Sequence, residues 1–217
     1  MLHDLEDLSL DASLAVRAAR ERLDEEFAGA VGHETVDAIL QASWNHIDAA
    51  ARLKHHVPLL AERFARGQLW ALARMAGHHD GVPAVLFLDT HDAGRAAMAS
   101  GLLAKQAGSA VMTLSAGTDP DIDVPPAVLE VMHEADVSLE QAFPKPYTPE
   151  MLRVCDLVVT FGDGQRVPLP DGTPHEEWDL PDPRGMSTQD VRAVRDRLAA
   201  LVTALLARLP AAAPSAH

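Results

Sequence analysis

The stretch AVLFLDTHDAGRAAM, residues 84 to 98, runs from an apolar segment through a small polar loop into a helix-forming segment. The loop residues Thr90, His91, Asp92, Ala93, Gly94, Arg95 and Ala96 have the parts of an anion cradle. A loop that leaves a strand and enters a helix N-terminus collects backbone N–H groups and the positive end of the helix dipole. Arg95 adds a two-pronged partner for an oxyanion. Against this stand two carboxylates, Asp89 and Asp92, with Asp163 further along the chain. Two like charges about 4 Å apart at an effective dielectric near 20 repel by on the order of 4 kcal/mol, so these side chains together oppose a dianion. Arg95 offsets part of that repulsion, and its simplest use is an internal ion pair with Asp89 or Asp92. The plainer alternative is a strand-to-helix turn in which Gly94 relieves crowding and Arg95 is surface charge.

The elements that must position this loop follow from the apolar pattern. AVLFLDT, SAVMTLSAG, a run around Leu157 to Phe161 and a short HEEWDL segment read as four strands. Between and after them, AGRAAMASGLLAKQAG, PPAVLEVMHEADV and STQDVRAVRDRLAALVTALLARL read as helices. Alternating strands and helices predict an α/β domain with a parallel sheet covered on both faces. Ligand sites in such sheets lie at the carboxyl ends of the strands, which puts the 89 to 95 loop, the 162 to 168 loop and WDLPDP on one edge.

Residues 11 to 76 have helical spacing throughout, with Leu14, Val16, Leu23 and Phe27 in the first segment and Val36, Ile39, Leu40, Trp44 and Ile47 in the second. A third begins with Pro58 in its first turn and closes at Gly77. Trp44, Phe64, Leu69 and Trp70 read as the core of this three-helix bundle. The polar connector AGHHDGVP separates a helical domain, 1–77, from the α/β domain, 78–217; the tail PAAAPSAH reads as disordered.

Composition narrows the function. A chain of 217 residues, 47% hydrophobic, has ample material for a packed core. Eighteen Lys and Arg against 32 Asp and Glu give a formal charge of −14, which argues against nucleic acid and anionic membrane surfaces as partners. No apolar run reaches the roughly 20 residues that span a bilayer, and the acidic start MLHDLEDLSLD is unlike a secretory signal; a cytoplasmic location is expected. The single cysteine, Cys155, excludes an intramolecular disulfide or a two-cysteine relay within one chain. Cys155 reads as a small buried hydrophobe. The pairs His55-His56 and His78-His79 lack zinc spacing, since adjacent histidines on a helix point apart. Asp89, Asp92, Asp163, Asp182 and His91 could instead form an oxygen-rich cation site, the alternative being a self-paired acidic pocket without metal.

AVLFLDTHDAGRAAM, followed by SAG at 115 to 117, DLVVTFGDG at 156 to 164 and EEWDLPDPRG at 176 to 185, resembles the low-molecular-weight protein tyrosine phosphatase superfamily, and within it the thiol-dependent arsenate reductases. The N-terminal segment, with FAGAV, HETVDAIL and VPLLAERFARGQL, is similar to the helical domain that precedes the reductase domain in some longer bacterial members. The resemblance implies a phosphatase-like fold; no cofactor is expected. It places Asp89 at the nucleophilic cysteine, Arg95 at the anion-gripping arginine and Asp182 at the general acid. Asp92 stands where the family has asparagine, Ala96 where it has a hydroxyl residue, and Asp163 and Val167 where reductases have further cysteines.

Cysteine serves in such a loop because its thiolate is strongly nucleophilic and is stabilised by amide dipoles and arginine. A carboxylate is a poorer nucleophile towards phosphorus and cannot form the thiol–arsenic linkage that reduction needs. The expected function is that of a non-catalytic homologue acting by binding or assembly. The alternatives are a weak or metal-assisted phosphatase using Asp89 and a cation-binding module with an acidic loop. Residues 11 to 76 carry more apolar positions than three short helices need, so a homodimer through these helices is expected.

Overall fold

In the computed structural model, residues 10–50, 57–78, 81–139, 142–162 and 167–210 are described. Asp163, His55, His56, His79, the N-terminal residues 1–9 and the tail 211–217 lie outside them. The chain divides into two compact units between His79 and Asp80.

The first unit is helical, with α1 (Leu10–Glu26), α2 (His33–Ala50) and α3 (Val57–Met75). Its core takes Val16, Ala19, Leu23 and Phe27 from the first helical segment, Val36, Leu40, Trp44 and Ile47 from α2, and Val57, Ala61, Phe64, Ala65 and Leu69 from α3. Three- and four-residue steps keep each set on one helical face. Leu14, expected in this core, is 52% exposed. It lies two residues from Val16, about 200° around the helix, so it cannot share the stripe that Val16, Ala19 and Leu23 set. Trp70 is only partly buried, and the Arg74 guanidinium lies 5.4 Å from its ring centroid.

Polar contacts tie the same helices together. Glu62 of α3 is buried and accepts from Arg22 of α1 at 2.6 and 3.0 Å and from Arg66 at 2.9 Å. Those hydrogen bonds, Arg22 first, hold its carboxyl below the usual carboxylate range against the opposing push of burial. Gln68 of α3 donates to buried Ser43 of α2 at 2.9 Å. After Met75 the helix stops as its sequence suggested: Gly77 has φ 90°, the Gly77 N–H donates to the Arg74 carbonyl at 3.1 Å and the His78 N–H to the Ala73 carbonyl at 3.0 Å. Both bonds satisfy carbonyls that a helix end leaves open.

The second unit holds a parallel sheet of four strands among the described residues, in the order β2 (Met112–Gly117), β1 (Ala84–Asp89), β3 (Leu157–Thr160) and β4 (His175–Glu177). Every residue of β1 is buried, as a central strand covered on both faces requires. Helix α4 (Arg95–Ala107) packs on β1 and β2. Helix α7 (Thr188–Leu206) packs on α4 and on α5 (Pro126–Glu134). Val85 and Phe87 of β1 join Met98, Leu102, Val194, Leu198 and Val202 in the main core. Trp178, just past β4, sits against Phe87 and Phe161 with ring centroids 5.7 and 6.1 Å away.

The expected strands and three helices of this unit are present, and two short elements were not foreseen, the 3-10 turn Gly108–Ala110 and a helix before β3. Helix α6 (Pro149–Val154) lies just before β3. Six residues give too little length for a helical period to show. The signals that could have found it are Thr148, whose side chain accepts from the Met151 N–H, and Pro149 in the first turn. Cys155 is buried between α6 and β3.

Candidate functional site

Asp89 is the last residue of the central strand, so it sits at the carboxyl edge of the sheet where α4 begins. Its carboxylate is 3% exposed. Oδ1 accepts from the His91 N–H at 3.1 Å and the Asp92 N–H at 2.6 Å, and Oδ2 accepts from the Ala96 N–H at 3.3 Å. The Arg95 Nε lies 3.8 Å from Oδ2. The expected ion pair therefore forms with Asp89, and three loop amides converge on the same side chain. Arg95 itself is buried, donates from Nη1 to the Leu180 carbonyl at 2.9 Å, and lies 5.5 Å from the centroid of the Phe161 ring.

Burial pushes the Asp89 carboxyl up to about 6, with the nearby charge of Asp92 adding to the rise. The Asp92 N–H, the Arg95 charge and the Ala96 N–H oppose that rise without cancelling it. Desolvation of a carboxylate outweighs these partners because none of them is a short, direct ion pair.

Asp92 behaves differently from its expected role in the loop. It adopts φ 49°, a left-handed conformation that Asp and Asn tolerate better than most residues. Its side chain leaves the cradle: Oδ2 accepts from the Lys145 ammonium at 2.9 Å and from the Lys145 N–H at 3.1 Å. Lys145 Nζ also donates to Ser115 Oγ at 3.0 Å. Asp92 is thus paired with Lys145, and the ion pair of Arg95 in the cradle is with Asp89. Burial raises its carboxyl above the usual range, and Lys145 works against that rise. Sequence reasoning missed Lys145, which lies 53 positions away. No periodicity or spacing connects it to the loop.

The neighbouring loops brace the cradle through its carbonyls. Asp89, Thr90 and His91 carbonyls accept from the N–H groups of Thr118, Asp119 and Asp121 at 3.1, 2.7 and 2.9 Å. His91 Nδ1 is 3.0 Å from the Asp119 carbonyl oxygen. Gly117, the last residue of SAG, is needed for this contact, since a Cβ there would lie 2.8 Å from the Thr90 oxygen and 3.0 Å from the Asp92 nitrogen. Gly94 is required for space as well. A Cβ on it would come within 2.7 Å of Pro183 and 3.7 Å of Asp182 Oδ1. Ala93 and Ala96 are buried in the loop and in the first turn of α4.

Asp182 is thereby placed beside Gly94, as its sequence position implied. It is held by Arg184, whose N–H donates to Oδ1 at 3.0 Å and whose Nε and Nη2 lie 2.8 and 2.7 Å from Oδ2. Burial pushes this carboxyl up, but the hydrogen bonds and charge of Arg184 prevail and hold it below the ordinary value. In this arrangement Asp182 is ionised near neutrality and is not poised to donate a proton. Val167 is partly buried, and its carbonyl accepts from the Leu169 N–H at 2.8 Å. Among the described residues no group of three His, Cys, Asp or Glu is arranged to hold a metal ion.

Comparison with known proteins adds to this geometry. Residues 84–214 match the family described as low molecular weight phosphotyrosine protein phosphatase, and residues 13–73 match the protein-tyrosine-phosphatase-like N-terminal domain. A thioredoxin-dependent arsenate reductase of Corynebacterium glutamicum is 32% identical, with a TM-score of 0.76 over 90% of this chain and 96% of that one. A candidate arsenate reductase of Halobacterium salinarum is 30% identical over 121 residues, 51% of this chain and 81% of its own length. An arginine phosphatase of Geobacillus stearothermophilus, 21% identical with a TM-score of 0.53 over 58% of this chain and 92% of that one, shares the fold.

Proposed function

Because this chain belongs to the low molecular weight phosphotyrosine protein phosphatase family, we propose that it is a non-catalytic member, a pseudoenzyme whose anion loop is filled by its own side chain. One observation carries this reading: the Asp89 carboxylate takes the His91, Asp92 and Ala96 amides, donors that an active member turns to a thiolate and a bound oxyanion. Two further features support it. The chain has a single cysteine, and it is buried outside the loop. Asp182, at the general-acid position, is held ionised by Arg184. Its work is then binding or assembly, as a cytoplasmic homodimer joined through the N-terminal helices.

The test is direct. Assayed beside the Corynebacterium protein, the purified chain is expected to show no thiol-dependent arsenate reduction and no appreciable hydrolysis of aryl phosphates. Turnover at a comparable rate would overturn the reading.

A further inference from the structure

The His91, Asp92 and Ala96 amides converge on one side chain that also faces Arg95, and that side chain, Asp89, is titratable. As a carboxylate, Asp89 uses both oxygens on the three loop amides and faces the guanidinium. As a carboxylic acid it keeps one good acceptor, gains an O–H donor and loses its charge. The amides are fixed by the strand end, by the first turn of α4 and by the 118–121 turn that holds the loop carbonyls. They therefore stay aimed at the same point whichever form Asp89 takes.

We propose that the loop is a proton-gated anion site: Asp89 as carboxylate and a tetrahedral oxyanion compete for the same amides and for Arg95, and uptake of one proton by Asp89 opens the loop to the oxyanion. This rests on the reading that Asp89 fills the cradle, and it adds a condition under which the cradle empties. The charged groups around Asp89 are consistent with such a gate. Arg95 faces it from α4 and attracts either occupant. Asp92, the other carboxylate in the loop, is paired with Lys145 at 2.9 Å, and its charge adds to the rise of the Asp89 carboxyl. Asp182, which acts on Arg95, is held by Arg184. His91 is the other group there of a type that changes charge near neutrality, and its ring is turned to the Asp119 carbonyl. Burial places the Asp89 transition at about 6.

Linkage fixes the size of the effect. Where only the protonated form admits the anion, apparent affinity falls by the fraction protonated, about tenfold for each pH unit above the transition. Sulfate is the probe, because its own charge does not change between pH 5 and 8. Calorimetric titration of the full chain, at matched ionic strength, is expected to show sulfate binding at pH 5.5 that weakens about tenfold between pH 6.5 and 7.5. At pH 7 each sulfate bound should be accompanied by uptake of nearly one proton, measured on the parent protein with two buffers of different ionisation enthalpy. Asp89→Asn, which keeps the shape without the charge, should bind sulfate with little pH dependence, whereas His91→Gln should keep the dependence of the parent. Sulfate affinity that is flat with pH, binding without proton uptake, or no binding at either pH would overturn the gate while leaving the absence of catalysis untouched. Phosphatase or reductase turnover would instead overturn the functional reading on which it rests.

Discussion

On the proposed reading, Asp89 puts a side chain that accepts where active relatives have one that attacks. The carboxylate completes the hydrogen bonding of the His91, Asp92 and Ala96 amides, but it does so inside the protein, where a charge is poorly solvated. Those two effects have different pH dependences, so they can be separated. In the unfolded chain an aspartate titrates near 4, and in the folded protein Asp89 keeps its proton up to about 6. Between these values the native state binds more protons than the unfolded state, so this side chain's contribution is full below about 4, declines as pH rises and is lost above about 6. A shift of about two units corresponds to about 3 kcal/mol. Asp89→Ala removes the acceptor and should destabilise by about 1–3 kcal/mol near pH 4.5. The gap should then close, or reverse, by pH 7.5, because only the parent bears the buried charge. Urea unfolding of both proteins across that range reads the difference directly; a gap that does not change with pH would show that Asp89 does not titrate in the window.

Between elements, the loop depends on a contact that no local pattern announces. Residues 145–147 run beside the end of β2, where the Gly117 N–H donates to the Lys145 carbonyl at 2.8 Å and the Tyr147 N–H to the Gly117 carbonyl at 3.3 Å. This alignment delivers the Lys145 ammonium to buried Asp92. Breaking a buried ion pair on one side is costly because the remaining charge is stranded. Lys145→Met should therefore lower stability by about 3–5 kcal/mol at pH 7.5, and pairing it with Asp92→Asn should recover much of the loss, since asparagine also accepts the left-handed backbone of this position. A single variant as stable as the parent, or a double variant no better than the single, would show that the pair does not brace the loop.

The same comparison shows what the sequence could express. Strands β1 and β2 and the long helices were visible because apolar runs and helical steps are local. Gly94, Arg95 and Asp89 were legible from their order in one loop. Lys145 was not, because its partnership joins distant segments through the sheet, and α6 was too short to display a period. Leu14 failed for another reason: its apolar character suggested core, but only its angular position relative to Val16 determines which way it faces.

For the whole molecule, assembly sets surface apolarity against net charge. Leu10 and Leu14, 75% and 52% exposed, stand one turn apart on α1, and Leu59 of α3 is 43% exposed. Residues four apart on a helix share a face, so α1 offers an apolar stripe next to a core it does not join. Burying it in a second copy removes that area from water at about 25 cal/mol per Å². Opposing it is the repulsion of two chains each carrying a formal charge of −14. That repulsion is long-ranged in dilute buffer and largely screened beyond about 8 Å at physiological ionic strength, whereas the apolar contribution does not depend on such screening. The homodimer should accordingly strengthen with salt. Sedimentation equilibrium of the full chain at micromolar concentration should give twice the chain mass at physiological salt, with dissociation rising as salt is removed. The double variant Leu10→Glu, Leu14→Glu should be monomeric under both conditions while keeping the parent's helical content by circular dichroism, because neither side chain contributes to the bundle core. A parent that sediments as a monomer at every salt concentration, or a double variant that dimerises as well as the parent, would remove the N-terminal helices as the assembly surface.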